Sequence, residues 1–398
     1  MGEGYLRTED LSVGYDRRAL IRDICLDIRK GEIIVLAGPN GSGKSTILKS
    51  LTRQLSLVSG SVALDGKDLE RMNGKMLSKK LAVVLTQQTR PELMTCYEMV
   101  AAGRYPHTGY LGILAEEDRQ KVEEALRIVH AGELGSHYFH ELSDGQRQRI
   151  LLARAICQEP EMIVLDEPTS FLDIRYKLEL LSILRSMSRE KKITVILSLH
   201  EIELAQKFAD RVLCVKGETI FMFGPPEEVF EEKRICELYG LTSGSYDPLF
   251  GNLELPPPQG KPEIFVISGA GTGIRVFRRL QREQKPFRCG ILYTNDVDYA
   301  LARHLADQVV TEEPFMEISD QAVALAMKEI HASRQVICTS FPIGRMNRRV
   351  LSLIKEAEKQ KKLKMETDSV FDSQTAEAAK WSSEDMESTY KTLLKEEE

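Results

Sequence analysis

The fold is decided by the stretch Gly38-Pro39-Asn40-Gly41-Ser42-Gly43-Lys44-Ser45-Thr46. It reads G-x-x-x-x-G-K-S and lies between the apolar run Ile33-Ile34-Val35-Leu36-Ala37 and a helical segment, which is the setting of a phosphate-binding loop. Its glycines let backbone N–H groups face a phosphate without Cβ interference, and the positive end of the following helix adds to the attraction. We expect Lys44 to reach the β- and γ-phosphates of a nucleoside triphosphate and Ser45 to hold Mg²⁺.

Length and composition restrict the class of protein. The 398 residues are enough for two or three domains with their own cores. A formal net charge of −6 disfavours a nucleic-acid-binding protein, because no basic excess is available to neutralise a phosphate backbone. The seven cysteines are scattered without a C-x-x-C pair, which is typical of a reduced cytosolic protein without a disulfide or metal framework. No apolar run has the length of a membrane span, so we expect any membrane contact to pass through a partner.

Two acidic residues end a second apolar run. Met162-Ile163-Val164-Leu165-Asp166-Glu167 predicts a buried strand with both acids at its carboxyl end, where ligands of doubly wound sheets bind. We expect Asp166 to hold Mg²⁺, directly or through water, and Glu167 to polarise the water that attacks the γ-phosphate. Taken alone, the two acids could instead cap the next helix. His200 follows another apolar strand, 193–198, and is a candidate contact to the γ-phosphate.

An ordered set of motifs makes the first 240 or so residues resemble the nucleotide-binding subunit of an ABC transporter. The stretch 38–46 resembles the Walker A motif and 163–167 resembles the Walker B motif. The other motifs are an aromatic A-loop at Tyr15, a Q-loop at Gln87, a signature at Leu142-Ser143-Asp144-Gly145-Gln146, a D-loop at Ser170-Phe171-Leu172-Asp173 and a switch histidine at His200.

This resemblance implies an α/β fold over residues 1–240, in which a P-loop NTPase core carries an antiparallel β subdomain and a helical subdomain. Beyond about residue 240 the composition shifts. The stretch 255–262 is rich in proline, so we expect a linker over residues 241–262. Strand and helix patterns resume at 263–360, as expected of a smaller Rossmann-like α/β domain. Residues 361–398 are polar and charged, which is typical of a flexible tail.

The resemblance also implies how the site residues act. Two copies would dimerise head to tail, so that ATP bound at Lys44 of one copy is closed over by Ser143 and Gly145 of the other. Glu167 and His200 would assist the hydrolysis that reopens the dimer. The remaining roles are adenine stacking by Tyr15, coupling of the γ-phosphate and Mg²⁺ to the permease surface by Gln87, Mg²⁺ binding by Ser45, Asp166 and Gln87, trans contacts by Asp144 and Gln146, and the D-loop position of Asp173.

The signature departs from the family pattern at one position, because Asp144 stands where glycine is usual. An acid near a bound triphosphate would oppose closure by about 1 kcal/mol or more. The same acid is favourable when it points into solvent at the start of a helix. We prefer the second arrangement, since similar importer subunits carry acids at this position.

The helical insertion points to a subfamily. Its segments Ala102-Gly103-Arg104-Tyr105-Pro106-His107, Leu111-Gly112 and Ala115-Glu116-Glu117-Asp118 resemble those of importer subunits for iron siderophores, haem and cobalamin, at the place where the permease docks. We therefore expect a cytoplasmic ATPase, peripheral on the inner face of the membrane, that serves permease subunits and through them an external binding protein. The alternatives are a non-transport ABC ATPase, or an importer of another cargo whose C-terminal domain senses a nucleotide or ligand.

A second glycine-rich loop, Gly269-Ala270-Gly271-Thr272-Gly273, follows the first strand of the C-terminal domain. It lies where an anion-binding loop would, and Asp296 lies roughly where a ribose-binding acid would, but the spacing is not the full dinucleotide fingerprint. A tight turn in a regulatory or dimer-supporting domain is at least as good an interpretation. Similar extensions on corrinoid importer ATPases slightly favour a sensor of nucleotide or cargo.

Overall fold

The computed structural model describes residues 4–85, 92–109, 112–170 and 172–366. The chain forms two compact units, Met1–Gly240 and Leu241–Glu398. Gln87 and Phe171 lie outside the described residues, as does most of the expected tail. None of the described helices combines the length and apolar character needed to cross a bilayer.

Two sheets form the β structure of the first unit. The strands are β1 (Leu6–Tyr15), β2 (Arg18–Ile28), β3 (Ile33–Ala37), β4 (Ser59–Leu64), β5 (Lys67–Asp68), β6 (Leu81–Val84), β7 (Met162–Leu165), β8 (Thr194–Ser198), β9 (Arg211–Lys216) and β10 (Thr219–Gly224). Among the described residues, one sheet is antiparallel with the order β2-β1-β4-β5. The other has the order β10-β9-β3-β8-β7-β6 and is parallel except where the edge strand β10 pairs with β9.

The residue types explain the difference between the two sheets. Strands β3, β7 and β8 consist mostly of Ile, Val and Leu and are buried at every position, as parallel strands covered on both faces must be. In β2, buried Ile24 and Leu26 alternate with exposed Cys25 and Asp27, which suits an antiparallel sheet with one face in solvent. The predicted α/β fold with an antiparallel subdomain is confirmed.

Helices cover the parallel sheet and form the insertion. They are α1 (Lys44–Leu51), α2 (Gly74–Lys80), α3 (Cys96–Ala101), α4 (Glu116–Ile128), α5 (Asp144–Cys157), α6 (Ile174–Lys191), α7 (Ile202–Phe208), α8 (Pro226–Val229) and α9 (Glu232–Tyr239). Within the helical subdomain, α3 and α4 both pack on α5. Helix α3 begins with a capping box in which Thr95 and Glu98 each accept from the other's backbone N–H.

A buried arginine holds the helical subdomain together. Arg104 Nε donates to Asp118 Oδ1 over 2.9 Å. Arg104 Nη1 donates to the Cys157 carbonyl oxygen and to Glu159 Oε2, at 2.8 Å each. Lys121 Nζ adds an ion pair with Glu159 at 2.8 Å. These contacts join the first half of α4 to the C-terminal end of α5, because one guanidinium reaches both.

The second unit is a small α/β domain. Its helices and strands are β11 (Ser245–Asp247), β12 (Asn252–Glu254), β13 (Ile264–Ile267), α10 (Ile274–Arg282), β14 (Phe287–Tyr293), α11 (Val297–Leu305), β15 (Gln308–Glu312), α12 (Asp320–Ala332), β16 (Gln335–Thr339), α13 (Val350–Lys359) and β17 (Leu363–Glu366). In the described chain the sheet is parallel with the order β15-β14-β13-β16-β17. Adjacent residues of β13, Phe265 and Val266, pack into different apolar clusters, so both faces of the sheet are covered.

Two boundaries differ from the expectation. The expected linker 241–262 contains a hairpin of β11 and β12, in which Ser245 Oγ lies 2.7 Å from His304 Nδ1. Arg278 Nη2 also donates to the buried Glu254 Oε1 over 2.6 Å. Strands of three residues are too short to show a period in the sequence, so only these long-range contacts reveal them. At the other end, β17 lies beyond residue 360 as a polar strand at the edge of the sheet.

Candidate functional site

The loop between β3 and α1 turns tightly against β9. Gly38 has a φ of 141°, and a Cβ there would lie 2.3 Å from the Val215 carbonyl oxygen, so a side chain would clash. Lys44 begins α1, and its Nζ donates to the carbonyl oxygens of Gly38 and Pro39 at 2.8 and 2.9 Å. Burial lowers the pKa of Lys44, while two nearby carboxylates act in the opposite direction. The ammonium group is thus held at the loop, where a phosphate can replace the carbonyl oxygens.

Ser45 connects this loop to the carboxyl end of β7. Its Oγ donates to Asp166 Oδ1 over 3.1 Å. Ser198, at the end of β8, donates to the same oxygen over 2.8 Å and accepts from the Glu167 backbone N–H over 2.8 Å. Because β8 lies between β3 and β7, its last residue is placed to join the loop to both acids.

Glu167 and His200 form the next contact. Glu167 Oε1 lies 2.6 Å from His200 Nε2, and Glu167 Oε2 accepts from Ser170 Oγ over 3.3 Å. Glu167 has a φ of 49°, a left-handed conformation that costs about 1 kcal/mol or more in a residue with a Cβ. The hydrogen bond from its N–H to Ser198 holds this conformation. Both side chains are partly exposed, so water can reach the carboxylate.

Ser198 is a site residue that the sequence did not reveal. It is fully buried and contacts both acids that follow β7. A serine at the end of an apolar strand belongs to no motif, and the available signal was its place two residues before His200. Only the order of the strands shows that it reaches Asp166.

The oxygen atoms present fit Mg²⁺. Ser45 Oγ and Asp166 Oδ1 are 3.1 Å apart, and Mg²⁺ prefers oxygen ligands of this kind together with phosphate oxygens and water. The third expected ligand, Gln87, lies outside the described residues. Among the described residues, no group of three or more His, Cys, Asp or Glu side chains could hold a metal ion, at this site or elsewhere.

Two more side chains near the loop are available to a ligand. Ser42 Oγ is buried and finds no hydrogen-bond partner among the described residues, which suits a contact with a phosphate oxygen. Tyr15, at the end of β1, has a half-exposed side chain whose hydroxyl lies 3.5 Å from Thr46 Oγ1. An exposed ring beside the phosphate-binding loop can stack on a nucleobase.

The signature residues form the start of α5. Ser143 is the N-cap, since its Oγ accepts from the Gln146 backbone N–H over 3.3 Å. The Ser143 backbone N–H in turn donates to Gln146 Oε1 over 3.0 Å, which completes a capping box. Asp144, in the first turn, accepts from Arg147 Nη1 over 2.7 Å.

The D-loop lies against the signature. A Cβ on Gly145 would lie 3.4 Å from Leu172 Cδ2. Asp173 caps α6, where its Oδ1 accepts from the Tyr176 backbone N–H over 3.0 Å. The Arg149 guanidinium of α5 lies over the Tyr176 ring, 4.7 Å from its centroid. The N-terminal regions of α5 and α6 are therefore connected.

The glycine-rich loop of the second unit is occupied by the protein's own carboxylates. Ala270 N donates to Asp296 Oδ2 over 2.8 Å. Gly273 N donates to both carboxylate oxygens of Asp298, at 3.1 and 2.9 Å. Asp298 is fully buried, and this burial raises its pKa to about 6. Because these amides are already paired, the arrangement favours the tight-turn interpretation over an anion-binding loop.

Comparison with known proteins places both parts of the chain. The ABC transporter family matches residues 21–170, and a second family, named MJ0874, matches residues 287–397. An uncharacterized ABC transporter ATP-binding protein of Methanocaldococcus jannaschii, MJ0873, is 42% identical over 280 residues, which are 70% of this chain and 97% of that protein. YusV of Bacillus subtilis (strain 168), named a probable siderophore transport system ATP-binding protein, is 35% identical over 273 residues, which are 68% of this chain and 99% of YusV.

A solved structure shows the same fold as the first unit. It is a dimer of the ATP-binding cassette MJ0796 bound to ADP and Pi. The likeness has a TM-score of 0.50 at 25% identity and covers 56% of this chain and 98% of that chain. With the geometry above and the likeness to MJ0873 over 97% of that protein, it follows that the chain belongs to the ATP-binding proteins of ABC transporters.

Proposed function

We propose that this chain hydrolyses ATP to power an ABC importer for an iron siderophore, haem or a corrinoid. The observation that carries the ATPase assignment is a connected series of contacts, Ser45 to Asp166 to Ser198 to Glu167 to His200. This series brings a pair of metal-binding oxygens and a partly exposed carboxylate base to the end of the phosphate-binding loop. Such an arrangement suits attack of water on a γ-phosphate.

The residues of the site have distinct tasks in this reaction. Lys44 and the loop N–H groups bind the β- and γ-phosphates. Glu167 accepts the proton of the attacking water, and His200 orients the carboxylate and contacts the γ-phosphate. When bound, Mg²⁺ neutralises charge on the phosphate oxygens. The proposed Mg²⁺ ligands are Ser45, Asp166 and Gln87.

Closure of two copies over the nucleotide forms the second half of the proposal. The dimeric MJ0796 cassette with ADP and Pi supports it. Ser143 and Gly145 of one copy contact ATP on the other, with Gln146 and Asp173 at the edges of the contact. Tyr15 stacks on the adenine of the copy that binds it.

The cargo and the partners are proposed from the relatives and the helical insertion. YusV is named for siderophore transport, and the present chain aligns with 99% of its length. The resemblance of residues 102–118 to siderophore, haem and cobalamin importers extends the class to all three. The chain would then act at the inner face of the membrane, on permease subunits that receive cargo from an external binding protein.

The ATPase assignment is tested with the purified full chain, alone and co-expressed with its permease. We expect ATP turnover that depends on Mg²⁺, and ATP-dependent dimers of the Glu167→Gln variant. Absence of turnover even with the permease present contradicts the ATPase assignment. Failure to co-purify with any membrane subunit favours a non-transport ABC ATPase.

The cargo is tested separately, by disrupting the gene and measuring uptake of a siderophore, haem and cobalamin. We expect loss of uptake of one of the three. Unchanged uptake of all three contradicts the cargo class but leaves the ATPase assignment intact. Complementation with the Glu167→Gln variant is the control, since it supplies the folded chain without hydrolysis.

A further inference from the structure

We infer that Arg147 is a positioning residue that keeps the signature able to close on ATP by neutralising Asp144. The inference rests on the proposed head-to-tail closure, in which the start of α5 approaches the triphosphate held by the other copy. Within the signature, Asp144 carries a negative charge, while Ser143, Gly145 and Gln146 are uncharged. In that closure Asp144 brings a negative charge toward the triphosphate, and a counter-charge beside it would offset the repulsion.

The geometry supplies that counter-charge. Arg147 Nη1 donates to Asp144 Oδ1 over 2.7 Å, a short charge-assisted hydrogen bond. The Asp144 side chain is 62% exposed, whereas that of Arg147 is only 18% exposed. Arg147 Nε is buried and has no hydrogen-bond partner among the described residues. The guanidinium is thus packed against the protein and directed at the carboxylate, which distinguishes the contact from a mobile surface ion pair.

Electrostatics explains why the pair matters more for ATP than for the fold. A carboxylate in the first turn of a helix interacts favourably with the helix dipole, so Asp144 does not harm α5. The same helix end attracts phosphate, and an unpaired carboxylate there would cancel that attraction. An arginine in contact turns the single charge into a dipole, whose field decreases more steeply with distance. Pairing with Arg147 therefore reduces the repulsion between Asp144 and ATP during closure.

A double-mutant cycle in the full-length Glu167→Gln protein tests this inference. The measurement is the ATP concentration that gives half-maximal dimerisation, followed by light scattering. We expect Arg147→Gln to raise this concentration about fivefold at low ionic strength, and less at high ionic strength. In the Asp144→Gly background, the same Arg147→Gln change should have an effect below about twofold. Arg147→Lys keeps the charge and should restore most of the dimerisation.

A matched control uses another ion pair with the same spacing. Arg71 Nε lies 3.4 Å from Asp68 Oδ2, also three residues apart, on the antiparallel part of the first unit. Arg71→Gln removes an equal charge and should leave ATP-dependent dimerisation unchanged. Thermal unfolding of each variant shows whether the fold is intact.

Each contrary outcome has a definite meaning. No effect of Arg147→Gln, or the same effect with and without Asp144, overturns the inference. The inference is also overturned if Arg147→Lys loses dimerisation as well and the loss accompanies a lower unfolding temperature. That result would show that Arg147 supports the fold. If the Glu167→Gln protein itself forms no ATP-dependent dimer, the proposed closure fails and the inference with it, whereas a dimer indifferent to Arg147 overturns the inference alone.

Discussion

At the scale of the residue, the site depends on hydroxyl groups that hold carboxylates in place. Ser45 and Ser198 both donate to Asp166 Oδ1, and Ser198 also fixes the backbone of Glu167. A buried polar group needs hydrogen bonds in place of its lost water, and these bonds also fix its orientation. The two serines therefore set where the acids point, although the proposed chemistry belongs to the acids.

We expect Ser198→Ala to lower kcat for ATP hydrolysis about tenfold, because Glu167 and Asp166 each lose a hydrogen bond that orients them. ATP binding, measured by calorimetry, should change by less than about threefold, since the phosphate-binding loop is untouched. The control is Ser188→Ala, which removes another buried hydroxyl, bonded to the Gly31 carbonyl oxygen over 2.7 Å and outside the site. Equal loss of kcat in both variants would contradict the assignment.

The buried carboxyl group of Asp298 should make the stability of the second unit depend on pH. Burial raises its pKa to about 6, above the value of about 3.9 for an unfolded chain. Between these two values the folded state keeps a proton that the unfolded state has released, so this contribution to stability decreases as the pH rises from 4 to 6.

The variant Asp298→Asn stays neutral at every pH. We expect its free energy of unfolding, relative to wild type, to increase by on the order of 2 kcal/mol between pH 4 and pH 7. Urea titrations at several pH values in this range measure the difference. A difference that is independent of pH would show that Asp298 does not titrate in this window.

At the scale of the element, strand order and helix caps bring the site together. Strand β8 lies between β3 and β7, so its last residue joins two motifs that are distant in sequence. Helices α5 and α6 begin at the caps Ser143 and Asp173, and Arg149 on Tyr176 connects them. The signature and the D-loop are thereby positioned by the starts of two helices.

The buried ion pairs of the helical subdomain predict that two basic residues contribute unequally to the free energy of unfolding. Arg104→Met should lower the free energy of unfolding by about 3 kcal/mol, because Asp118 would be left buried without its ion-pair partner. Lys121→Met removes a partly exposed partner of Glu159 and should cost less than about 1 kcal/mol. Urea unfolding of the full chain compares them. Equal costs would mean that Arg104 contributes no more than a surface ion pair.

At the scale of the whole molecule, the two units have different chemistry. The first has a phosphate-binding loop with an ammonium group and an unpartnered buried hydroxyl within the described residues. The second has a loop in which the amides of Ala270 and Gly273 are paired with Asp296 and Asp298. A nucleotide should therefore bind to the first unit and not to the second.

Calorimetry on the full-length chain tests this division. Wild type should bind ATP, and Lys44→Ala should lose that binding, because Lys44 supplies the positive charge of the loop. The same Lys44→Ala protein should give no saturable heat with ATP, ADP or a dinucleotide, since the protein's own carboxylates already bind amides of the second loop. Saturable heat that persists in Lys44→Ala would contradict the tight-turn interpretation of the loop 269–273.

Local patterns in the sequence by themselves determined the fold class and the main motifs. The glycine-rich loop before Lys44, the apolar strands and the acids after β7 can be read because each depends on spacing within one short segment. The small α/β domain was also predictable, from alternating strand and helix patterns. The family likeness confirmed the ATP-binding assignment, while the roles of individual site residues stay predictions.

Only the tertiary structure decided which distant groups meet. Three contacts join segments far apart in the chain. They are Ser198 with Asp166, Asp298 with the second glycine-rich loop, and the hairpin of the expected linker with His304. Strand order and packing bring such groups together, and neither of these can be deduced from the local periodicity of the sequence. That is why the sequence identified the acids that carry the proposed chemistry, and the fold was needed to show what holds them.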